Sequence, residues 1–182
     1  KLRKEIAIAI KECMMHENLF GVLVSHGSST VPRYIVDEIN ALGGNIQNAY
    51  GISIEELKAA IPCGIGKINV DTDIRLAVTR NMKEFFHQNP AKRDSASIGK
   101  VYELLEEKKD QFDPRAFLPP IMDTVMYGNI PDQDTADLVE VIEKGVKEAI
   151  GTLIVEFGSF GKAPLVEQVS LEEMAERYKK CK

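Results

Sequence analysis

Apolar positions recur along this chain at two periods. Over 1–17, Ile6, Ile10, Cys13 and Met14 fall three or four residues apart, which predicts a helix. The run at 20–25, "FGVLVS", predicts a short strand, and the polar stretch "HGSST" closes it. Pro32 suits the first turn of a helix over "PRYIVDEINAL", where its missing N–H is no loss, and Gly43-Gly44 ends that helix. Ser53 and Glu56 have capping-box spacing at the head of "SIEELKAAI", and Pro62 and Gly64 stop it. A second strand is expected at 66–70 and a helix at 74–87. Helix, strand, helix, helix, strand, helix is the order of βα units in a parallel sheet, so the fold class expected is α/β.

Beyond Asn89 the pattern is helix and loop alone. "NPAKRDSAS" reads as a loop, "IGKVYELLEEKKDQF" as a charged surface helix and "DPRAFLPP" as a rigid turn. A long helix with an Asp-rich start is predicted over 131–157, then a glycine-rich loop "GSFGKAP". A last short helix carries a second capping box at Ser170 and Glu173. Two regions result: 1–90 with the βα units, and 91–182, a helical extension packing on them.

Both strands finish in residues that a core cannot use. Side chains alternate along a strand, so Ile68 and Val70 point toward covering helices, while Lys67, Asn69 and Asp71 share the other face. Three polar groups on the inner face of a buried parallel strand are expensive without partners. A barrel interior opening onto a polar site removes that difficulty, and barrel sites lie at the C-terminal strand ends, where His26, Asn69 and Asp71 stand. Gly27 permits close backbone approach, and Ser28 and Ser29 offer hydroxyls. The helix starts after Ser29 and at Thr72 present N–H groups that favour an anion, with Arg75 one turn further on. Taken singly, each signal has an ordinary explanation. A histidine after a strand is usually a hydrogen-bonded structural residue, Gly-Ser-Ser is a common turn, and Asp113-Pro114-Arg115 is a turn with an exposed arginine.

Charge and cysteine content remove some alternatives. A net charge of −5 with scattered lysines and arginines argues against a nucleic-acid footprint. No apolar run is long enough to span a membrane, and no leader pattern occurs at the start. Cys13, Cys63 and Cys181 fit neither a disulfide framework nor a zinc ribbon, as in a reduced cytoplasmic protein.

Together, "HGSSTVPRYIVDEINALGGNIQNAYGISIEELKAAIPCGIGKINVDTDIRLAVT", "FDPRAFL" and "FGSFGKA…VSLEEMAERYKK" resemble the C-terminal portion of class II fructose-bisphosphate aldolases. The likeness is dense over 20–90 and looser over 111–182. It implies the last two βα units of a (β/α)8 TIM barrel with additional C-terminal helices. It implies reversible, zinc-dependent cleavage of fructose 1,6-bisphosphate, a phosphorylated ketose, to dihydroxyacetone phosphate and glyceraldehyde 3-phosphate. His26 matches a zinc ligand; Gly27, Ser29, Asn69, Asp71 and Thr72 match residues at the dihydroxyacetone phosphate end, beside Ser28. Backbone oxygens at the glycine and serine match a site for a monovalent cation, Na+ or K+. Arg75 matches an arginine reaching the far phosphate, and Arg115 one supplied by a neighbouring subunit, which implies a homodimer or higher homo-oligomer with 91–182 at a subunit interface. The likeness also covers tagatose- and sedoheptulose-bisphosphate cleavage, and a non-catalytic phosphosugar-binding subunit.

The chain departs from the family pattern in what it lacks. The family's base is an aspartate beside its first zinc histidine, and no Asp-His pair occurs here; His16 and His87 fall within helices. The segments between His87 and Asp113 and around 132–156 are longer than the family's, and Thr30 stands where serine is common. Two strands cannot close a barrel. The expectation is therefore the C-terminal part of a longer or split enzyme, inactive by itself.

Overall fold

A computed structural model describes residues 2–19 and 21–180 (of Lys180, the backbone alone), so Phe20, at the start of the first expected strand, and Cys181 lie outside the description. Helix α1 (Lys4–His16) leads into strand β1 (Leu23–Ser25), and helices α2 (Arg33–Ala41) and α3 (Ile54–Ala60) precede strand β2 (Ile65–Ile68). Helix α4 (Thr72–Gln88) follows, then α5 (Gly99–Glu107), α6 (Met122–Tyr127), α7 (Gln133–Glu156) and α8 (Leu171–Lys180). The expected order holds, with shorter strands and an α4 that starts two residues early. Helix α6 has no counterpart in the sequence reading.

Local chemistry explains most boundaries. Pro32 caps α2 rather than opening it. The Ser53 hydroxyl accepts from the Glu56 N–H at 3.2 Å, and Ser170 does the same for Glu173 at 3.1 Å. Such caps contribute about 1 kcal/mol each. After α3 a 3₁₀ turn over Ile61–Cys63 ends at Gly64, whose φ of 107° is open to glycine.

Strands β1 and β2 pair in parallel: Leu23 faces Ile65, Val24 faces Lys67 and Ser25 faces Ile68. Gly66 is the extra residue of a bulge, and a Cβ there would lie 2.5 Å from the Val22 Cβ. Among the described residues these two strands form the whole sheet.

The core lies to one side of the sheet, in two clusters that both run through α4 and α7. Val78, Met82, Phe85 and Phe86 of α4 pack with Ile98, Val101 and Leu105, with Phe117, Leu118 and Ile121, and with Leu138 of α7. Leu76 and Ala77 pack with Ile35, Val36 and Ile39 of α2 and Ala149 of α7. Position 90 is therefore no break in the packing. Helix α5 also corrects the expectation of a charged surface helix: Ile98, Val101 and Leu105 are buried on its inner side while its charges face out. Arg80 of α4 ties the second cluster's rim together, donating to Glu38 of α2 at 3.0 Å and Glu148 of α7 at 2.6 Å. The "NPAKRDSAS" loop is likewise a clamp: Ser95 donates to Asp134 at 2.6 Å and Ser97 to Asp132 at 3.1 Å, at the head of α7.

Helix α1 behaves differently. Its apolar stripe is not buried: Ile6 is 45% and Ile10 43% exposed, because the Ile61–Cys63 turn is the element packed against it. Val22 and Val24 are exposed as well. Cys13 and Cys63 are free thiols, and no described helix is long and apolar enough to cross a membrane.

Two glycines of α7 make the α4 contact testable. A Cβ at Gly145 would meet the Val78 Cα at 2.9 Å and the Ala77 carbonyl oxygen at 3.0 Å, whereas one at Gly151 meets nothing within 4 Å. Alanine relieves a helical glycine of about 1 kcal/mol, but overpacking against backbone costs about 1–3 kcal/mol. Thermal melts should show Gly151→Ala raising Tm and Gly145→Ala lowering it.

Candidate active site at the two strand ends

Parallel pairing brings the C-terminal ends of β1 and β2 side by side. The Asn69 N–H donates to the Ser25 carbonyl at 2.9 Å, which sets His26 opposite Asn69. The Asn69 Nδ2 lies 3.1 Å from the His26 Nδ1. Lys67 Nζ donates to the Asn69 Oδ1. Because that oxygen accepts from an ammonium, Nδ2 is the donor toward His26 and Nδ1 the acceptor. The neutral imidazole in this arrangement carries its proton on Nε2. Lys67 and Asn69 thus share a face, as alternation predicts, while Asp71 leaves it for Arg75.

The loop after His26 is drawn onto the start of α4. Gly27 takes a φ of 64°. The Ser29 hydroxyl accepts the Asp71 N–H at 3.2 Å and the Thr72 N–H at 3.0 Å, leaving its own proton to donate elsewhere. The Ser29 carbonyl accepts the Ile52 N–H at 3.1 Å, and Gly51 passes so close to Ser29 and Thr30 that no side chain fits there. Ser28 does not face the same way. It is fully buried, with its hydroxyl against that of Ser25. Gly27, Ser29, Asn69, Asp71 and Thr72, with Ile68 and Val70, line an open cleft of about 530 Å³.

A line of alternating charges bounds one side. Arg75 Nε donates to Asp71 Oδ1 at 2.9 Å, and a terminal nitrogen donates to Asp113 Oδ2 at 2.7 Å. Arg115 Nε donates to the same Asp113 carboxylate at 3.0 Å. The two arginines expected at a phosphate therefore meet on one acid within a single chain. The loop bearing Asp113 and Arg115 is fixed to α4 by the buried Thr79 hydroxyl, which donates to the Phe112 carbonyl at 2.8 Å. Hydrogen bonding from the Arg115 side chain, against some desolvation, holds the Asp113 carboxyl below its ordinary range, and the Arg115 N–H and Arg75 add to this.

A family model for class-II fructose-bisphosphate aldolase matches residues 1–162. The chain belongs to that family. Relatives named fructose-bisphosphate aldolase include one from Xanthobacter flavus, 33% identical over 156 residues, covering 86% of this chain and 33% of the relative. One from Nostoc sp. is 33% identical over 158 residues, covering 87% and 33%. One from Giardia intestinalis is 33% identical over 180 residues, covering 98% and 43%. The aldolase-family chain thus spans a third to somewhat under half the length of these relatives.

The donor set answers whether these residues alone suit zinc. A catalytic zinc takes three protein ligands and keeps one position open. Among the described residues no group of three His, Cys, Asp or Glu could hold a metal. His16 sits on α1 beside Glu17, and His87 is exposed near the end of α4. The residues described supply one imidazole and do not fit zinc without donors from elsewhere.

Two residues of the site escaped the sequence reading. Asp113 was part of a turn in that reading, and only the fold sets it between two arginines. Asp73 was the second acid of "VDTD"; its partners, Thr30 and Val31, lie 43 and 42 residues away.

Two outcomes follow from the site. Zinc titration of the 182-residue chain should show only weak binding, lacking the tight stoichiometric uptake of a three-ligand site; such uptake would overturn the one-donor assignment. The lowered Asp113 pKa means its stabilisation is present above the ordinary carboxylate range and lost as pH falls through the lowered value. Asp113→Asn should therefore lower Tm at pH 7, by about 1 kcal/mol or less of stability, and flatten the acid limb of the stability curve below about pH 4.

Proposed function

We propose that this chain forms the phosphate-holding part of the active site of a lyase that cleaves fructose 1,6-bisphosphate reversibly to dihydroxyacetone phosphate and glyceraldehyde 3-phosphate. The observation that carries the reading is the meeting of His26 and Asn69, 3.1 Å apart across two strand ends, beside a loop and helix start joined by Ser29. In this reading the two strands are the last βα units of a TIM barrel. The unpaired strand edges, the exposed Val22 and Val24, and the third of relatives' length that the chain spans support it.

Retro-aldol cleavage removes the proton of the C4 hydroxyl, breaks the C3–C4 bond and leaves its electron pair as the enediolate of dihydroxyacetone phosphate. The Asn69 amide has two N–H groups. One points to His26, and the second is available for an enediolate oxygen, which a carboxamide stabilises without adding negative charge. Ser29, Thr72 and the backbone near Gly27 hold the adjacent phosphate. Arg75 binds the far phosphate through the forked donors that suit its oxygens, and Arg115 reaches the far phosphate of a neighbouring subunit's site, each in exchange for its present carboxylate partners. A divalent zinc in the intact enzyme would supply Lewis-acid polarisation of the substrate carbonyl, with His26 among its ligands and the remaining donors and the base outside these residues. The Ser29 carbonyl keeps a lone pair for a monovalent cation. A soluble, cytoplasmic homo-oligomer is the assembly this reading carries.

The test is fructose 1,6-bisphosphate cleavage by the full-length protein, with and without chelator. Asn69→Ala should lower kcat roughly a hundred- to a thousand-fold, and His26→Ala should abolish chelator-sensitive turnover. Sugar-phosphate binding without cleavage in the full-length protein would replace the lyase reading with that of a phosphosugar-binding subunit.

A further inference from the structure

We propose that Asp73 is a positioning residue for the anion-holding loop, keeping Ser29 over the start of α4 by fixing the backbone that follows it. The proposal rests on the aldolase reading of that loop and adds a residue to it. Asp73 is 4% exposed, and its carboxylate is fully engaged. The Thr30 N–H donates to Oδ2 at 3.0 Å and the Thr30 hydroxyl to the same oxygen at 2.7 Å, while the Val31 N–H donates to Oδ1 at 2.8 Å. All three bonds run to the loop at the end of β1, none of them to the turn of α4 that bears the acid.

The loop needs this anchor because Val31 has a φ of 50°. A β-branched side chain in the left-handed region is a genuine outlier and persists only where the surroundings impose it. Asp73 imposes it from one side with charge-assisted bonds, and Val31 itself packs against the cluster of Ile35, Val36 and Leu76 from the other. Two residues earlier, Ser29 accepts the N–H groups of Asp71 and Thr72. The loop and the helix start therefore grip each other twice: backbone donors of α4 reach a loop hydroxyl, and a side-chain acceptor of α4 reaches loop donors. Release of the second grip lets Val31 relax to negative φ, and the chain from Gly27 to Thr30 turns with it.

Asp73→Asn tests this with little change in shape. One oxygen of the carboxamide still accepts, but its amide nitrogen presents a donor to a donor at Thr30 or Val31. Inorganic phosphate is the probe, titrated into the 182-residue chain and read by backbone amide NMR shifts of Ser29 and Thr72. Asp73→Asn should weaken phosphate binding about tenfold, the scale of a lost hydrogen bond to a charged group. Val31→Gly added to Asp73→Asn should restore affinity to within about threefold, since glycine adopts positive φ without an anchor. A residue that merely stabilised the fold would show a lowered Tm in Asp73→Asn and no recovery of phosphate binding from the glycine. Equal phosphate affinity for wild type and Asp73→Asn overturns the positioning role and leaves the aldolase reading standing. No phosphate binding by wild type overturns both. If Asp73→Asn does not fold, Thr30→Val carries the test: it removes one donor to the carboxylate and should weaken phosphate about threefold, and an unchanged affinity overturns the proposal.

Discussion

The last rung of the β1–β2 ladder, from the Asn69 N–H to the Ser25 carbonyl, sets the register from which the site follows. With the strands parallel, both chains leave the sheet at the same end, so both following segments start there. A one-residue slip would move His26 off Asn69 and turn Lys67 away from it. Gly66 protects that register: its bulge lets β1 pair on both sides of an extra residue, and the Val22 side chain occupies the space where any Cβ would go. The ladder is only three residue pairs long, so its own hydrogen bonds cannot hold it. What keeps the ends together is α4, whose first turn binds the β1 loop and whose body is set in both hydrophobic clusters.

Helix α4 is accordingly the connection between stability and the site. Leu76, Ala77, Val78 and Met82 are buried within three turns of Thr72. Their packing on α7, which comes within backbone contact at Gly145, fixes the direction in which the helix start points. The same helix carries Arg75 toward Asp113 and holds the Asp113 loop through Thr79. A displacement of α7 would thus be transmitted to Ser29, Asp71 and Arg75 together.

The electrostatics of the site are those of an arrangement with its charges internally satisfied. Arg75 has two carboxylates, Asp113 has two arginines, and the His26 Nδ1 faces an amide donor. An incoming phosphate exchanges partners rather than meeting bare charge. That exchange is inexpensive where carboxylates are exposed, as at Asp71, and more expensive at the partly buried Asp113.

Much of this was legible in the sequence. The order of elements, the Ser53 and Ser170 caps and the polarity of both strand ends are local properties, written in periods of two and 3.6 and in residues that can or cannot accept an N–H. The likeness to class II aldolases rested on the same strand ends, and family membership bears it out. Other features depended on neighbours far along the chain. The segment 98–112 looked like a surface helix because its charges outnumber its apolar residues, and burial of Ile98, Val101 and Leu105 depends on Phe86 and Phe117 lying opposite. The apolar positions of α1 have helical spacing yet are half exposed, since amphipathic spacing states which face seeks cover and not whether cover exists. Ser28 and Ser29 are alike in sequence, yet one turns into the protein and the other over α4, because left-handed backbone at Gly27 and Val31 rotates the loop between them. The sequence by itself determined which side chains stand at the strand ends. Only the tertiary structure decided which of them face the cleft and which hold it in shape, because that depends on hydrogen bonds between residues some forty positions apart.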